Sequence, residues 1–278
     1  MHFVHIADTH LGLSAFSKID PATGMNLRER MIYDNFLAAV DAIIRAKPAA
    51  VVHAGDLFHQ VKPKTRAYTV VLEALSRFHE SGIPLVVIAG NHSMVKTRYT
   101  SSPFEVLEYH AADIYAAYKY AYRRVELDDT CFHLIPNMLQ VEDYRRAFDR
   151  IEVSKSSFNV LVMHGLASAL SDRRLHSVAE HEIDSTMLSD QFDYIALGHF
   201  HGQVQVADNA WYSGSLEYCN YGEIEDKKGG LLIDLSSHSV ERLPLPHTPM
   251  LDMGRIVCDG RSAVEIGQEI SSRMDRLG

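Results

Sequence analysis

The stretch Ile83–His92, IPLVVIAGNH, decides how the chain is read. An apolar run, Leu85 to Ala89, stops abruptly at Gly90, Asn91 and His92. A short β-branched run bounded by Pro and Gly reads as a buried strand. The turn after it carries an amide and an imidazole, groups that bind metals or move protons. In open α/β sheets such groups collect at the carboxyl ends of strands. The stretch therefore predicts a sheet whose strand ends carry the chemistry.

The flanking sequence extends this pattern. Residues 2–7 and 49–56 (AAVVHAGD) read as two further buried strands. Between them, residues 26–46 place apolar side chains at helical spacing until Lys47-Pro48 stops the run. Residues 64–80 read as a second helix, closed by Ser81-Gly82. Strand, helix, strand, helix, strand predicts a parallel sheet of βαβ units. Downstream, AYRRVEL, CFHLIP, FNVLVMHG and FDYIALGH are strand candidates. GQVQVADNAWYSG and GGLLIDLSSHSVERL are hairpin candidates, broken at Asp208-Asn209 and Ser236-Ser237. The expected fold class is α/β with two sheets, the second of mixed strand direction. LPLPHTPM (243–250) is a linker candidate, and residues 251–278 are too few for an independent domain.

The chain has 278 residues, 46% of them hydrophobic, enough for a sizeable core. A net charge of −9 speaks against a basic nucleic-acid coat protein. It leaves room for a nucleic-acid enzyme, because a carboxylate-lined metal site is negative until cations bind. Cys131, Cys219 and Cys258 are scattered, with no C-x-x-C, so neither a disulfide framework nor a zinc-thiolate site is expected. The N-terminus has no basic n-region, and no stretch of about 20 apolar residues occurs. A cytoplasmic location is expected, with no membrane association.

Five stretches place metal-type residues directly after apolar runs: Asp8-Thr9-His10, Gly55-Asp56, Gly90-Asn91-His92, His164-Gly165 and Gly198-His199-Phe200-His201. Any one of them alone reads as an ordinary structural residue; the joint pattern does not. Asp8, His10, Asp56, Asn91, His164, His199 and His201 offer oxygen and nitrogen donors in a number that fits two ions. Such donors suit manganese, iron or zinc better than calcium. A carboxylate bridges ions about 3.5–4 Å apart, and such pairs activate water for attack on phosphorus.

The pattern D-x-H, G-D, G-N-H, H, G-H-x-H resembles the calcineurin-like metallophosphoesterase superfamily. Within it, HIADTHLG, AGDLFH and YIALGHFHGQ…WYSGSLEYCNYGE resemble the Mre11/SbcD nucleases of double-strand-break repair. The resemblance covers roughly residues 1–235 and implies a two-sheet metallophosphoesterase sandwich over 1–243, with 244–278 a linker and partial capping segment. It implies one ion held by Asp8, His10, Asp56 and His201, and another by Asp56, Asn91, His164 and His199, with Asp56 bridging. His92 would hold no metal; it would face the scissile phosphate, stabilise the transition state and assist the leaving oxygen, with His59 beside it in the catalytic group. The implied activity is exo- and endonucleolytic hydrolysis of DNA phosphodiesters with two divalent ions, manganese first and magnesium, iron(II) or zinc as alternatives. The implied partners are DNA, a Rad50/SbcC-type ATPase and a second copy of the chain. Little of that branch's fuller capping domain or ATPase-binding segment fits after residue 250, which puts the ATPase in doubt. A small-molecule or protein phosphoesterase of the same superfamily, and a non-catalytic scaffold, stand as alternatives.

Two departures bear on His92. The family usually has Asp after G-N-H, where this chain has Ser93, and the superfamily often has Asp at the position of His59. Ser93 is thus expected to tune the acid–base chemistry at His92, and Ser93→Asp to extend activity toward higher pH. Lys62, Lys64, Arg66, Lys96 and Arg98 flank two site loops and are candidate phosphate contacts, with Tyr99 a candidate base-stacking residue. His2, His5, His53 and His133 lie within apolar strands and read as structural; His176 and His181 read as surface residues.

Overall fold

The computed structural model describes residues 1–95, 100–168, 170 and 182–277. The chain builds two six-stranded sheets packed face to face. The first holds β1 (His2–Ile6), β2 (Ala50–His53), β3 (Leu85–Ile88) and β4 (Ile114–Ala117) in parallel. It continues on the other side of β1 with the antiparallel hairpin β13 (Gly230–Asp234) and β14 (Ser239–Leu243). The second sheet begins with the hairpin β5 (Arg123–Leu127) and β6 (Thr130–Ile135). To β6 it adds β7 (Phe158–His164), β10 (Tyr194–Gly198) and β12 (Ala210–Tyr212) in parallel, and β11 (Val204–Ala207) closes the far edge. A small parallel pair, β8 (Leu166–Ala167) and β9 (Glu182–Ile183), stands apart.

Both faces of the central strands are covered, which is why they read as continuous apolar runs. Period-2 alternation sends Val4, Ile6, Val51, Leu85 and Val87 outward, against α1 (Leu27–Ala46) and α2 (Thr65–Glu80). Phe3, Val52, Val86 and Ile88 point inward and meet Phe132, Val160, Val162 and Tyr194 of the second sheet. Leu161, Met163, Ile195 and Leu197 face the opposite way, onto Tyr144 and Ala147 of α3 (Val141–Phe148). The order is helix, sheet, sheet, helix. Asn26 caps α1 by accepting from Glu29 N, and Lys47 ends it in the left-handed region at φ 50°.

The expected strands, both hairpins and both early helices are present, each within a few residues of its expected limits. Strands β4, β8 and β9 and helices α3 and α4 (Ala263–Leu277) were not anticipated. Strand β4 is only four residues long and half covered at the sheet edge, and α3 is short and strongly polar. No described residue of α4 is buried. The segment from 244 to 250 is anchored: Leu245 is buried in the first core, and Thr248 N donates to Glu217 Oε1 at 2.9 Å. Among the described residues no helix is long and apolar enough to cross a membrane.

Candidate metal centre

The parallel pairing continues past the strand ends, and this brings the motifs together. Asp8 N donates to Gly55 O at 3.0 Å and His10 N to Asp56 O at 2.9 Å. Gly198 lies opposite His164 in the β7–β10 pair. Asp8, His10, Asp56 and His199 all adopt positive φ (51°, 45°, 53° and 103°). Such backbone is costly for residues with a side chain and persists where the surroundings over-determine it. Here each of the four turns a polar side chain onto the same spot. Gly90 has a different reason to be glycine: a Cβ there would lie 2.3 Å from Asp56 Oδ1. At Gly55 a Cβ would lie 2.2 Å from His164 Nδ1.

All seven expected ligands converge. Asn91 Oδ1 lies 2.9 Å from His164 Nε2 and 3.2 Å from His199 Nδ1. His164 Nε2 lies 3.4 Å from Asp56 Oδ2. His10 Nε2 lies 3.1 Å from His201 Nε2 and 3.9 Å from Asp56 Oδ2. One ligand atom each of Asp8, His10 and Asp56 lie within 4.8 Å of one another. Asp8, Asp56, His10 and His164 are almost completely buried.

The tautomers indicate what the cluster wants. His164 Nδ1 faces the Ala54 carbonyl at 2.9 Å and must donate to it, so its neutral ring turns the Nε2 lone pair toward the Asn91 and Asp56 oxygens. His201 Nδ1 donates to Glu223 Oε1 at 2.7 Å, which turns its Nε2 lone pair toward His10. Acceptors facing acceptors in a buried space call for cations, and the donor set fits two divalent metal ions.

The electrostatics agree. Burial would raise the Asp56 carboxyl, but the imidazoles around it, His164 foremost, hold it well below the usual carboxylate range. Burial would lower His164, yet Asp56 and then Asp8 outweigh it and raise this imidazole to about 9. Burial raises Asp8 despite the attraction of His164 and His201. Burial lowers His10, with the neighbouring imidazoles adding to the effect against Asp56. Burial also lowers His59, and His92 adds to it.

His92 stands at the open side. Its Nδ1 donates to the His59 carbonyl at 3.1 Å, and its backbone N–H donates to Asp56 Oδ1 at 3.0 Å. Its ring stacks on His59 with centroids 5.0 Å apart and meets the edge of His10 at 4.8 Å. His59 Nδ1 lies 3.3 Å from His10 Nδ1. The orienting partner of His92 is thus a backbone carbonyl. Ser93, expected to tune it, is fully buried, and its Oγ has no hydrogen-bond partner among the described residues. Neither position 93 nor position 59 thus brings a carboxylate to His92.

The basic candidates divide. Lys62 and Arg66 are exposed beside the site loop. Lys64 is exposed as well, and its Nζ lies 2.6 Å from Oε2 of buried Glu29, tying the start of α2 to α1. Lys96, Arg98 and Tyr99, like His176 and His181, lie outside the described residues. The four strand histidines have structural partners: His2 with Lys47 O, His5 with Tyr194 Oη, His53 with Thr9 Oγ1, and His133 with Tyr122 Oη.

Sequence reading missed a supporting layer. Glu223 accepts from His201 with Oε1, and from Lys228 Nζ with Oε2 at 2.7 Å; the Lys228 side chain is wholly buried. Lys228 Nζ also donates to Ser215 Oγ at 2.9 Å and His201 O at 3.1 Å. Hydrogen bonds to Cys219 and Glu223 outweigh burial and hold His201 well above its ordinary range. Glu217 pairs with Arg28 at 2.8 Å and accepts from Asn35 Nδ2 at 2.6 Å, fixing the loop before Glu223 to α1. The only signal for this layer was the GSLEYCNYGE stretch, which carried the resemblance without a role.

Residues 1–223 match the family model described as calcineurin-like phosphoesterase. The chain is 28% identical over 276 residues to the DNA double-strand break repair protein Mre11 of Methanocaldococcus jannaschii, covering 96% of this chain and 69% of that protein. It is 29% identical over 242 residues to the protein of the same name from Sulfurisphaera tokodaii, covering 84% of this chain and 59% of that one. It is 25% identical over 304 aligned positions to the SbcD component of the nuclease SbcCD of Staphylococcus saprophyticus, covering 100% of this chain and 77% of that protein.

Proposed function

The chain belongs to the calcineurin-like phosphoesterase family, and on that premise we propose that it hydrolyses DNA phosphodiesters as a two-metal nuclease of double-strand-break repair. The observation that carries the metal reading is the buried convergence of acceptor atoms around Asp56 and Asn91. The choice of DNA rests on likeness to relatives named as double-strand-break repair proteins and as a component of the nuclease SbcCD. Asp8, His10, Asp56 and His201 would hold one ion, and Asp56, Asn91, His164 and His199 the other. When bound, the ions supply charge stabilisation for the phosphoryl oxygens and a nucleophile from water at neutral pH.

The chain's own residues do the rest. His92, its Nδ1–H committed to the His59 carbonyl, presents Nε2 to the substrate. From there it hydrogen-bonds a phosphoryl oxygen and, in its protonated form, hands a proton to the leaving oxygen. His59 acts through His92 by stacking and is a positioning residue. Glu223 and Ala54 O fix the rings of His201 and His164, so each presents one chosen nitrogen. Lys62 and Arg66 contact the DNA backbone, with Lys96, Arg98 and Tyr99 as further contacts.

Manganese is the ion we assign, from the hard and borderline donor set. Residues 1–243 form the catalytic unit, and 244–278 link toward a capping segment. The proposed partners are DNA and a second copy of the chain, in the cytoplasm; the Rad50/SbcC-type ATPase stays in doubt. The substrate class is tested by comparing turnover of DNA with that of a small chromogenic phosphodiester under manganese. DNA cleavage supports the reading. Turnover of the small diester with intact DNA, single- and double-stranded alike, overturns it in favour of a small-molecule phosphoesterase.

A further inference from the structure

Cys219 stands at the rim of the centre. Its sulfur and one ring nitrogen each of His10 and His201 lie within 4.8 Å of one another, the spacing of three donors around a single ion. Of the three cysteines, Cys131 is buried in the second sheet and Cys258 is exposed in the segment before α4; Cys219 alone is part-buried beside the centre. One carboxylate sets its position. Glu223 Oε1 accepts from His201 Nδ1 at 2.7 Å, while Oε2 accepts from the Cys219 backbone N–H at 3.0 Å. The ring and the loop carrying the thiol are thus clamped to the same group. His10 is the third donor. It is 3% exposed, and its Nε2 faces the His201 nitrogen in the arrangement that calls for a cation.

Resting on the two-metal reading, we propose that Cys219 is an additional, soft ligand to the ion held by His10 and His201. On binding, the S–H proton leaves to solvent and a sulfur lone pair is donated to the ion. The chemical consequence is selectivity. Without sulfur the donor set is hard to borderline and suits manganese or magnesium. A thiolate beside two imidazoles turns that one position toward zinc, iron(II) or cobalt(II). The other position, built from Asp56, Asn91, His164 and His199, keeps its preference, so the two sites differ in the metal they hold best.

Cobalt(II) titration of the full chain tests this, with Cys219→Ser alongside. The wild type is expected to show ligand-field bands from both sites plus an intense sulfur-to-cobalt charge-transfer band; the variant keeps the former and loses the latter. Zinc affinity of the His10/His201 position is expected to fall roughly tenfold or more in Cys219→Ser, with manganese affinity little changed. Zinc should also slow alkylation of Cys219 by iodoacetamide without protecting Cys258 in the same molecule. Ligand-field bands without charge transfer in the wild type would overturn the Cys219 assignment and leave the metal centre standing. Absence of any cobalt bands would instead overturn the two-metal reading itself.

Discussion

At Glu223 one carboxylate serves His201 and Asn220 through Oε1, and buried Lys228 and the Cys219 backbone N–H through Oε2. Glu223→Gln keeps the shape and removes the charge. Lys228 is then buried with a weaker counter-charge, Asp226 at 3.9 Å, and the cost is about 3 kcal/mol of stability. With one acceptor oxygen left for His201 and Lys228, and no charge, the His201 ring is held less firmly, and zinc or manganese affinity falls about 10–100-fold. Calorimetric metal titration and thermal unfolding separate the two effects. A Glu223→Gln/Lys228→Met double variant should regain stability but not affinity; recovery of both would contradict the orienting role. Position 93 gives a second expectation at this scale. Because Ser93 is enclosed with no hydrogen-bond partner among the described residues, Ser93→Ala should be neutral or stabilising, and Ser93→Asp should cost at least about 2 kcal/mol by burying an unpaired carboxylate. A Ser93→Asp chain as stable as wild type in denaturant titration would defeat this. The seven ligands were legible because each follows an apolar run in a short motif. Glu223, Lys228 and Cys219 were not, because their meaning lies in contacts with His201, a neighbour no local pattern identifies.

The turns after β1, β2, β3, β7 and β10 are the elements that matter most. Each strand reads clearly from its apolar run, because both faces are buried and most positions are apolar. What the runs leave unstated is the backbone after them. Four ligand-bearing residues sit at positive φ, and Gly90 approaches Asp56 too closely for any side chain. Gly90→Ala must displace Asp56 or the turn itself. Metal binding is expected to fall at least about 100-fold while the far-ultraviolet circular dichroism stays native, since β3 itself carries no strain from the change. Normal metal affinity in Gly90→Ala would show that the turn yields. Strand β4 and helix α3 were illegible for the opposite reason: a short edge strand and a short polar helix have too little buried face to imprint a period on the sequence.

Across the whole molecule, the interior between the sheets imposes a pH limit. His5 lies there, hydrogen-bonded to Tyr194, and burial lowers it from 6.5 to about 3. The unfolded chain takes up this proton near pH 6.5, while the folded chain refuses it until about 3. The unfolded state thus binds more protons in that window, and stability falls as pH drops through it. By pH 5 the loss from His5 alone is about 2 kcal/mol. His5→Asn, which does not titrate, should be less stable than wild type at pH 7.5, and the gap should narrow by about that amount at pH 5. An unchanged gap in chemical denaturation would contradict the buried neutral ring. The layered fold was legible as two sheets with helices; their face-to-face packing, which brings β7 and β10 to the ends of β1, β2 and β3, was implied only by the resemblance.

We propose that this convergence is a two-metal DNA phosphodiesterase in which His92 works on the substrate without holding metal. End-labelled single- and double-stranded DNA incubated with manganese, using wild type, His92→Ala and Asp56→Asn, tests it most directly. Cleavage by wild type is expected, with a rate loss of about 10²–10⁴ in His92→Ala at unchanged manganese affinity. Asp56→Asn should lose both cleavage and metal. Intact DNA with the metal-loaded wild type, or His92→Ala cleaving at the wild-type rate, would contradict it.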